Sequence, residues 1–552
     1  MSSTAAFHRP TMLERLENEQ FDVLVVGAGV TGAGVALDAA SRGLKVALVE
    51  KDDFASGTSS KSSKMVHGGL RYLQQGEVRL VYEALRERQR LFKNAPHLVA
   101  VLPFMIPVLT KDGVVSRKVA RALGSAMWMY DLTGGWRIGK LHRRLRKDAA
   151  FAHLPTMHRE RLASAYLYYD ASVDDARLVL TLCRTAAQHG AVVVNQCPVV
   201  ALTKDASGRA DGATVRADGR DIHVRARVVV NAAGVWSDDV RALDDGTHPD
   251  SIRPAKGVHV TVPWEKIRCD IAVVIPVPKD KRSLFLVPWG ERADGTFEFA
   301  YVGTTDTDYQ GPLDDPQCTK DDVDYVLRAV NAALTTSVTA DDIIGVWAGL
   351  RPLVKAAATG RTADLSRRHN LHESPSGVLT ITGGKLTTYR EMAEHTVDAA
   401  VRRLGVKARC RTKGLRLLGA GRRSKPDGSP QSNLIHRYGT LASDVTALAA
   451  SDPSLAEPLI PGLPHLRAEA IYAVRHEMAL TLDDVLTRRT RARLFDRPAT
   501  MQAAPAVAAL LAPELGWDTD ETQRQVAAFI AACELEVVAG RTPQPNPAGA
   551  VS

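Results

Sequence analysis

Apolar positions near the start of the chain come in short unbroken runs and then change period. FDVLVVGAG is an apolar run ending in glycine, the pattern of a strand buried on both faces. VALDAASRG continues as a helix ending at Gly43, and LKVALVE reads as a second buried strand. Phe21 to Glu50 thus form one βαβ unit of about 30 residues, for which the right-handed parallel crossover is the default. Further on, DDARLVLTLCRTAAQHG predicts a helix ending at Gly190. AVVVNQCPVVALTKD predicts strand, and RARVVVNAAGVWSDDV another buried strand ending in small residues.

The pattern changes between Lys256 and Thr307. HVTVPW, IAVVIPVP, SLFLVPWG and FEFAYVGTTDT are short β-rich runs separated by turn residues, which predicts an antiparallel sheet forming a substrate-side layer. VLTITGGKLTTYREMAEHTVDAAVRRLG returns to strand, glycine turn and helix. Between Arg402 and Lys425 stand ten basic residues and no acidic one, followed by SKPDGSPQSN, a linker composition. Beyond Leu434 the period is helical, as in RAEAIYAVRHEMALTLDDVLTRRTRARLF.

With 552 residues the chain exceeds one hydrophobic core, and 45% hydrophobic with 24% charged residues is ordinary globular composition. The first twenty residues are polar and charged, without the apolar block of a secretory signal, and no apolar run approaches the ~18–20 residues that span a bilayer. Six scattered cysteines without a CxxC point to free thiols in a reducing compartment and away from structural zinc. The net charge of +9 suits an anionic substrate or a weak attraction to lipid headgroups. Neither a C2H2 spacing nor an RNP-type aromatic motif is present, so nucleic acid is not expected as a partner. The acidic residues at 306–315 and 321–324 lack ligand-like spacing, and no metal is expected.

Candidate chemistry starts at the first glycine turn. Gly27-Ala28-Gly29-Val30-Thr31-Gly32 fits GxGxxG between a strand and a helix. Gly27 permits the tight turn, Gly29 lets backbone approach a pyrophosphate, Gly32 allows close helix–strand packing, and the helix N-terminus offers its free N–H groups to phosphate. Glu50 ends the second strand, placed to accept from the adenosine ribose hydroxyls and to disfavour a 2′-phosphate. The motif by itself fits FAD and NAD alike. It occurs once, so one dinucleotide is expected. Next comes KDDFASGTSSKSSKMVHGGLRYLQQG, dense in Gly, Ser and Lys, a composition suited to phosphate and flavin contacts.

From this segment onward the sequence resembles the FAD-dependent (aerobic-type) glycerol-3-phosphate dehydrogenases. The resemblance rests on SSKSSKMVHGGLRYL (59–73), VVVNAAGVWSD (228–238), IRPAKGVHV (252–260), YVGTTDTD (301–308), WAGLRPLV (347–354) and TGGKLTTYREMAE (382–394), in the family's order. RHEMALTLDDVLTRRTRARL (475–494) is similar to the family's helical cap. The fold class implied is α/β plus α+β: a Rossmann-like FAD-binding domain, an antiparallel-sheet substrate domain and an all-helical C-terminal domain. The expected divisions are FAD-binding parts at 15–95, 161–255 and 346–405, an insertion at 96–160, and the antiparallel domain at 256–345. A basic linker at 406–433, the helical domain at 434–540 and a disordered tail at 541–552 complete the chain.

The resemblance implies that the GxGxxG residues and Glu50 hold the ADP half of FAD. Ser59, Ser60, Ser63, His67, Gly68, Ala233, Gly234 and Trp236 then approach the cofactor, as do Gly383, Gly384, Lys385, Leu386 and Thr387. Arg71, Arg351 and Lys385 are implied to hold the substrate phosphate, with Tyr72 and Thr305 close by. Physical chemistry supports cations there, because a phosphate dianion in a partly desolvated pocket needs at least two of them, preferably arginines. The reaction implied is oxidation of glycerol 3-phosphate to dihydroxyacetone phosphate, with hydride passing from C2 to the flavin. A histidine is the natural base for the hydroxyl proton: His67, with His259 as rival, and Arg351 is counted with them among the catalytic residues. Bacterial members reduce quinone as peripheral membrane proteins, and HLVAVLPFMIPVL (97–109) and RKVARALGSAMWMYDLTGGWRIGKLHRRLRK (117–147) are candidate lipid-contacting stretches beside the reading as core strand and solvated basic face. Expected with this are a cytoplasmic location, peripheral on the inner face of the plasma membrane, and a homodimer contact or regulation through the helical domain. A glycerol-3-phosphate oxidase using oxygen, an amine or amino-acid oxidase of the same architecture, and a non-catalytic flavin-binding protein are the competing readings.

Overall fold

Continuous apolar runs can be buried only where both faces of a sheet are covered, and the first sheet is built that way. The computed structural model describes residues 7–69, 77–110, 117–280, 282–355, 369–421 and 427–542. In chain order its main strands are β1 (Gln20–Val26), β2 (Val46–Val49), β3 (Val99–Leu109), β4 (Leu162–Val173), β5 (Val192–Val194) and β6 (Arg220–Asn231). They continue with β7 (Ile252–Pro263), β8 (Ala272–Pro276), β9 (Ser283–Glu291), β10 (Phe297–Gly303), β11 (Gly345–Val354), β12 (His369–Glu373) and β13 (Leu379–Gly383). The helices used below are α1 (Val30–Ser41), α2 (Val78–Asn94), α3 (Arg117–Thr133), α4 (Asp175–Gln188), α5 (Tyr389–Leu404), α6 (Arg467–Glu477), α7 (Arg497–Leu515) and α8 (Thr519–Arg541).

The first sheet has the order β12-β13-β6-β1-β2-β5, with the hairpin strands Val199–Lys204 and Ala210–Ala217 attached beside β6. β13, β6, β1, β2 and β5 run parallel, Val26 lying opposite Asn231 and Val49. Their carboxyl ends therefore open on one edge, where open α/β sheets bind ligands. α1, α4 and α5 pack together over this sheet. This is the expected Rossmann-like domain.

The second sheet is larger than the sequence pattern predicts. Its order is Thr307–Asp308, β7, β10, β9, β8, β3, β4, Met65–Val66, with β11 on the other side of β7 and Arg143–Arg146 beside β4. The stretch 97–109 is thus a core strand: β3 pairs along its length with β4. Pro103 and Pro107 sit on either side of the short contact with β8, which uses only Phe104 and Met105. A residue without an N–H fits a strand where the second neighbour is absent. Residues 162–173 and 346–354, expected with the FAD-binding parts, also lie in this second sheet, because strand partnership is decided by distant segments.

The C-terminal domain is helical, and α8 runs to Arg541; residues 543–552 of the expected tail lie outside the described residues, as do 422–426 of the basic linker. The linker's described part lies on the first domain, with Thr412 hydrogen-bonded to Asp38 at 2.8 Å and Leu417 N to Asn94 O at 2.8 Å. The long helical run predicted over 467–495 is broken at Met478, whose φ is +53°. There the carbonyls of Glu477 and Met478 accept from Arg489 and from Asn195 Nδ2, each at 2.9 Å.

Buried ion pairs join this domain to the first domain. Asp53 takes Arg489 bidentately at 2.7 Å and Arg488 at 2.6 Å. Asp175 pairs with Arg491, and Glu477 with Arg177 and Arg184 of α4. Burial opposes ionisation of Asp53 and Glu477, and the facing guanidinium groups overcome it, holding both carboxyls below their usual range. Removing one member strands the others in low dielectric. Glu477→Gln is expected to cost roughly 3–5 kcal/mol of stability, read as a lower chemical-denaturation midpoint; a change below ~1 kcal/mol would show that the joint is not holding the domain.

Candidate functional site

The carboxyl ends of β1, β2, β6 and β13 place Gly27, Glu50, Ala232 to Gly234 and Gly383 to Leu386 on one edge, and together they wall a cleft of ≈430 Å³. Gly27 turns at φ +97°, and a side chain on Gly32 would lie 1.9 Å from its carbonyl oxygen. The turn can therefore pass directly into α1. Glu50 accepts from the Ala28 N–H at 2.7 Å and the Asp52 N–H at 3.1 Å, and burial pushes its carboxyl up to about 7 against those two bonds. Ser59 accepts from the Val30 N–H at 2.9 Å at the start of α1. A glycine cradle at a helix N-terminus with a buried acid at the next strand end is the chemistry that an ADP moiety requires, so the residues present fit FAD.

Opposite this cradle the second sheet supplies the charged wall. β7 and β11 pair antiparallel with Gly257 facing Gly349, Ala255 facing Arg351 and His259 facing Trp347. Side chains two apart share a face, so His259 and Arg351 reach the cleft together. The glycines make room: a Cβ on Gly257 would meet the Arg351 guanidinium at 2.5 Å, and one on Gly303 the His259 ring at 2.1 Å. Arg351 is oriented by Asp306 at 2.9 Å and by Thr304 Oγ1 and the Thr305 carbonyl, both at 3.2 Å. Arg351 thus lines the cleft while paired with a carboxylate.

His259 lies flat on Trp347, ring centres 4.8 Å apart and planes 8° apart, with Nε2 2.8 Å from Ser63 Oγ. Burial first, then Lys64 and Arg351, depress its pKa well below the usual histidine range. His67 lines the cleft as well, its backbone N–H donating to Thr387 Oγ1 at 3.2 Å.

Of the residues expected from sequence, Gly27, Gly29, Val30, Thr31, Glu50, Ser59, Ser63, His67, Ala233, Gly234, Trp236, His259, Arg351 and Gly383 to Thr387 line the cleft. Ala28 and Gly32 are buried beneath it. Gly68 lies behind, its N–H 3.2 Å from both Tyr130 Oη and Asp170 Oδ1. Ser60 faces a second, polar cavity towards the C-terminal domain, and its carbonyl accepts from Lys64 and Arg491. Thr305 is also placed off the cleft lining: its hydroxyl accepts from the Val258 N–H at 3.0 Å, and its carbonyl rather than its side chain serves the site by steadying Arg351. Arg71 and Tyr72 fall outside the described residues. Sequence reasoning missed Lys61 and Ser62, which line the cleft, and Lys64, Asp306 and Trp347 around it, although all but Asp306 and Trp347 stand in the Ser/Lys-rich segment already singled out.

Known proteins resemble this chain over most of its length. Residues 22–390 match the profile of the FAD dependent oxidoreductase family, and residues 410–522 that of the C-terminal domain of alpha-glycerophosphate oxidase. The chain is 43% identical over 552 residues to glycerol-3-phosphate dehydrogenase 2 of Mycobacterium tuberculosis, covering 97% of this chain and 92% of that one. It is 36% identical over 551 residues to a mitochondrial glycerol-3-phosphate dehydrogenase of Arabidopsis thaliana, covering 92% and 85%. The solved structure of the Bacillus halodurans glycerol-3-phosphate dehydrogenase complexed with FAD aligns with a TM-score of 0.77 at 30% identity, over 96% of this chain and 98% of that one.

Ribose hydroxyls donate to a carboxylate, so FAD binding is expected to lower the pKa of Glu50 and to release a proton near neutrality. In deflavinated protein the affinity for FAD should rise as pH rises through about 7. Glu50→Gln should weaken it by about ten- to a hundredfold and flatten that dependence. Flavin-fluorescence titration across pH measures both, and a steep profile surviving in the variant would exclude Glu50 as its source.

Proposed function

Because the chain belongs to the FAD-dependent glycerol-3-phosphate dehydrogenase family, we propose that it oxidises sn-glycerol 3-phosphate at C2 to dihydroxyacetone phosphate and passes the electrons to a quinone. The observation that carries the reading is that Arg351, Lys385, His67 and His259 line the same cleft as the dinucleotide cradle. Bound FAD supplies the two-electron acceptor for the C2–H. The protein's own groups do the rest. Arg351, its plane set by Asp306, and Lys385 attract and orient the phosphate dianion. His67 takes the hydroxyl proton, while His259, held neutral by its surroundings, serves as a hydrogen-bond partner to the carbinol.

An exposed apolar patch beside basic residues supports the choice of quinone. On α3, Met127, Tyr130 and Asp131 are buried, while Leu132 is 77% exposed and Trp128 56%. Trp128 stacks edge-on against His142, next to exposed Leu141, and Arg137 lies over the ring of exposed Tyr82. Lys140, Arg143, Arg144 and Arg146 stand exposed in the same segment. Large apolar side chains ringed by cations suit an interface with anionic lipid. No helix among the described residues is long and apolar enough to cross a membrane, so contact is proposed at one leaflet.

Glycerol 3-phosphate should bleach the flavin without oxygen, whereas glycerol, glycine and proline should not; bleaching by an amino acid instead would move the protein to the oxidases of amines. Arg351→Ala should raise KM for glycerol 3-phosphate by roughly two to three orders of magnitude with FAD retained, and a near-normal KM would remove Arg351 from the phosphate site. Peroxide yield measured against menaquinone reduction discriminates oxygen from quinone as acceptor.

Vesicles containing phosphatidylglycerol should carry the wild-type protein in flotation. The double variant Trp128→Ser, Leu132→Ser should stay behind yet still be bleached by glycerol 3-phosphate. Equal flotation of both proteins would rule out the patch.

A further inference from the structure

Lys64 is buried among aromatic rings and takes no part in the reaction as described above. Its ammonium lies 4.4 Å from the centre of the Trp347 ring, the ring on which His259 is stacked, and 5.9 Å from that of Trp289. It donates to the Ser60 carbonyl at 3.3 Å and contacts Asp175 Oδ1 at 3.4 Å. Asp175 is already satisfied by Arg491 and by the Ser62 N–H and hydroxyl at 3.0 and 2.6 Å. Asp174, Asp175 and Glu469 together face Arg491, Arg437 and Lys64, and Lys64 shares Asp175 with Arg491. A lysine kept at such a place is costly unless its charge is used.

We propose that Lys64 is a positioning residue for the oxidation: its charge, placed on Trp347, keeps the stacked His259 imidazole neutral, so that the ring meets the substrate carbinol as an uncharged hydrogen-bonding group. The proposal rests on the alcohol oxidation argued above. His259 is faced by Ser63 from the serine-rich loop, by Arg351 from β11 and by the Tyr301 ring from β10. Asp306 offsets the charge of Arg351, and Tyr301 donates to the Ser63 carbonyl at 3.0 Å. His67 and Lys385 line the same cleft. Lys64 and His259 both contact the Trp347 ring, and the carboxylate partner of Lys64, Asp175, is shared with Arg491. His259 Nδ1 is buried.

The test is the pH profile of anaerobic flavin reduction by glycerol 3-phosphate in wild-type, Lys64→Met and Lys64→Arg holoenzymes. Removing the charge lets the imidazole protonate at higher pH, so the acid limb in Lys64→Met should move up by about one pH unit. The ratio of the reduction rate at pH 5.5 to that at pH 8 should then be lower in Lys64→Met than in wild type. Wild type and Lys64→Arg should share a flatter profile, and Lys64→Met, His259→Asn should lose the limb. Superimposable profiles of Lys64→Met and wild type would overturn the proposal, as would Lys64→Arg behaving like Lys64→Met. Lys64→Gln, which keeps a donor for Ser60, substitutes if Lys64→Met loses FAD. Loss of FAD from both neutral variants but not from Lys64→Arg would assign the charge to cofactor retention and overturn the proposal as well. Wild-type protein that is not bleached at any pH would instead sink the substrate reading.

Discussion

The cleft exists because two sheets of different construction meet at the carboxyl ends of the parallel strands, and buried arginine–carboxylate pairs fix how the C-terminal helices close over the loops between them. Asp53 belongs to the loop that follows Glu50, and Asp175 accepts from Ser62 in the serine-rich segment. Both are gripped by arginines of 488–491. Such pairs add little net stability over an apolar packing of equal volume, but they allow very few alternative arrangements. Their contribution is to the position of the cofactor loops, and the helical domain is in this sense part of the cleft.

What was legible in the sequence is what short segments decide. The turn Gly27 to Gly32, the acid at Glu50 and the glycine turn at Gly383 are each set by local backbone demands, and each stands where the pattern placed it. The antiparallel layer was legible in kind but not in extent. β3 and β4 join it through a pairing between segments some sixty residues apart, and β3, read alone, passes equally for a core strand or a lipid-contacting stretch.

The charges were the hardest to read. Arg351 finds Asp306 only after β7, β10 and β11 are aligned, and Arg488 finds Asp53 from the far end of the chain. A buried cation in sequence looks the same whether it awaits a phosphate, pairs with a carboxylate or stands on an indole. Arg351, Arg489 and Lys64 occupy those three situations in turn under the proposals above, and only packing separates them.

The ladder between β7 and β11 also bears on how this protein can vary. His259 and Arg351 face the cleft because each lies an even number of residues from the facing glycines Gly257 and Gly349. One residue inserted between 252 and 263, or between 345 and 354, would rotate the following side chains of that strand to the opposite surface of the sheet. The hairpin at 205–209 on the far edge of the first domain carries no such parity. Lineages of this protein should accordingly accumulate length differences in the outlying hairpins, while β7 and β11 keep their residue count even where their side chains drift.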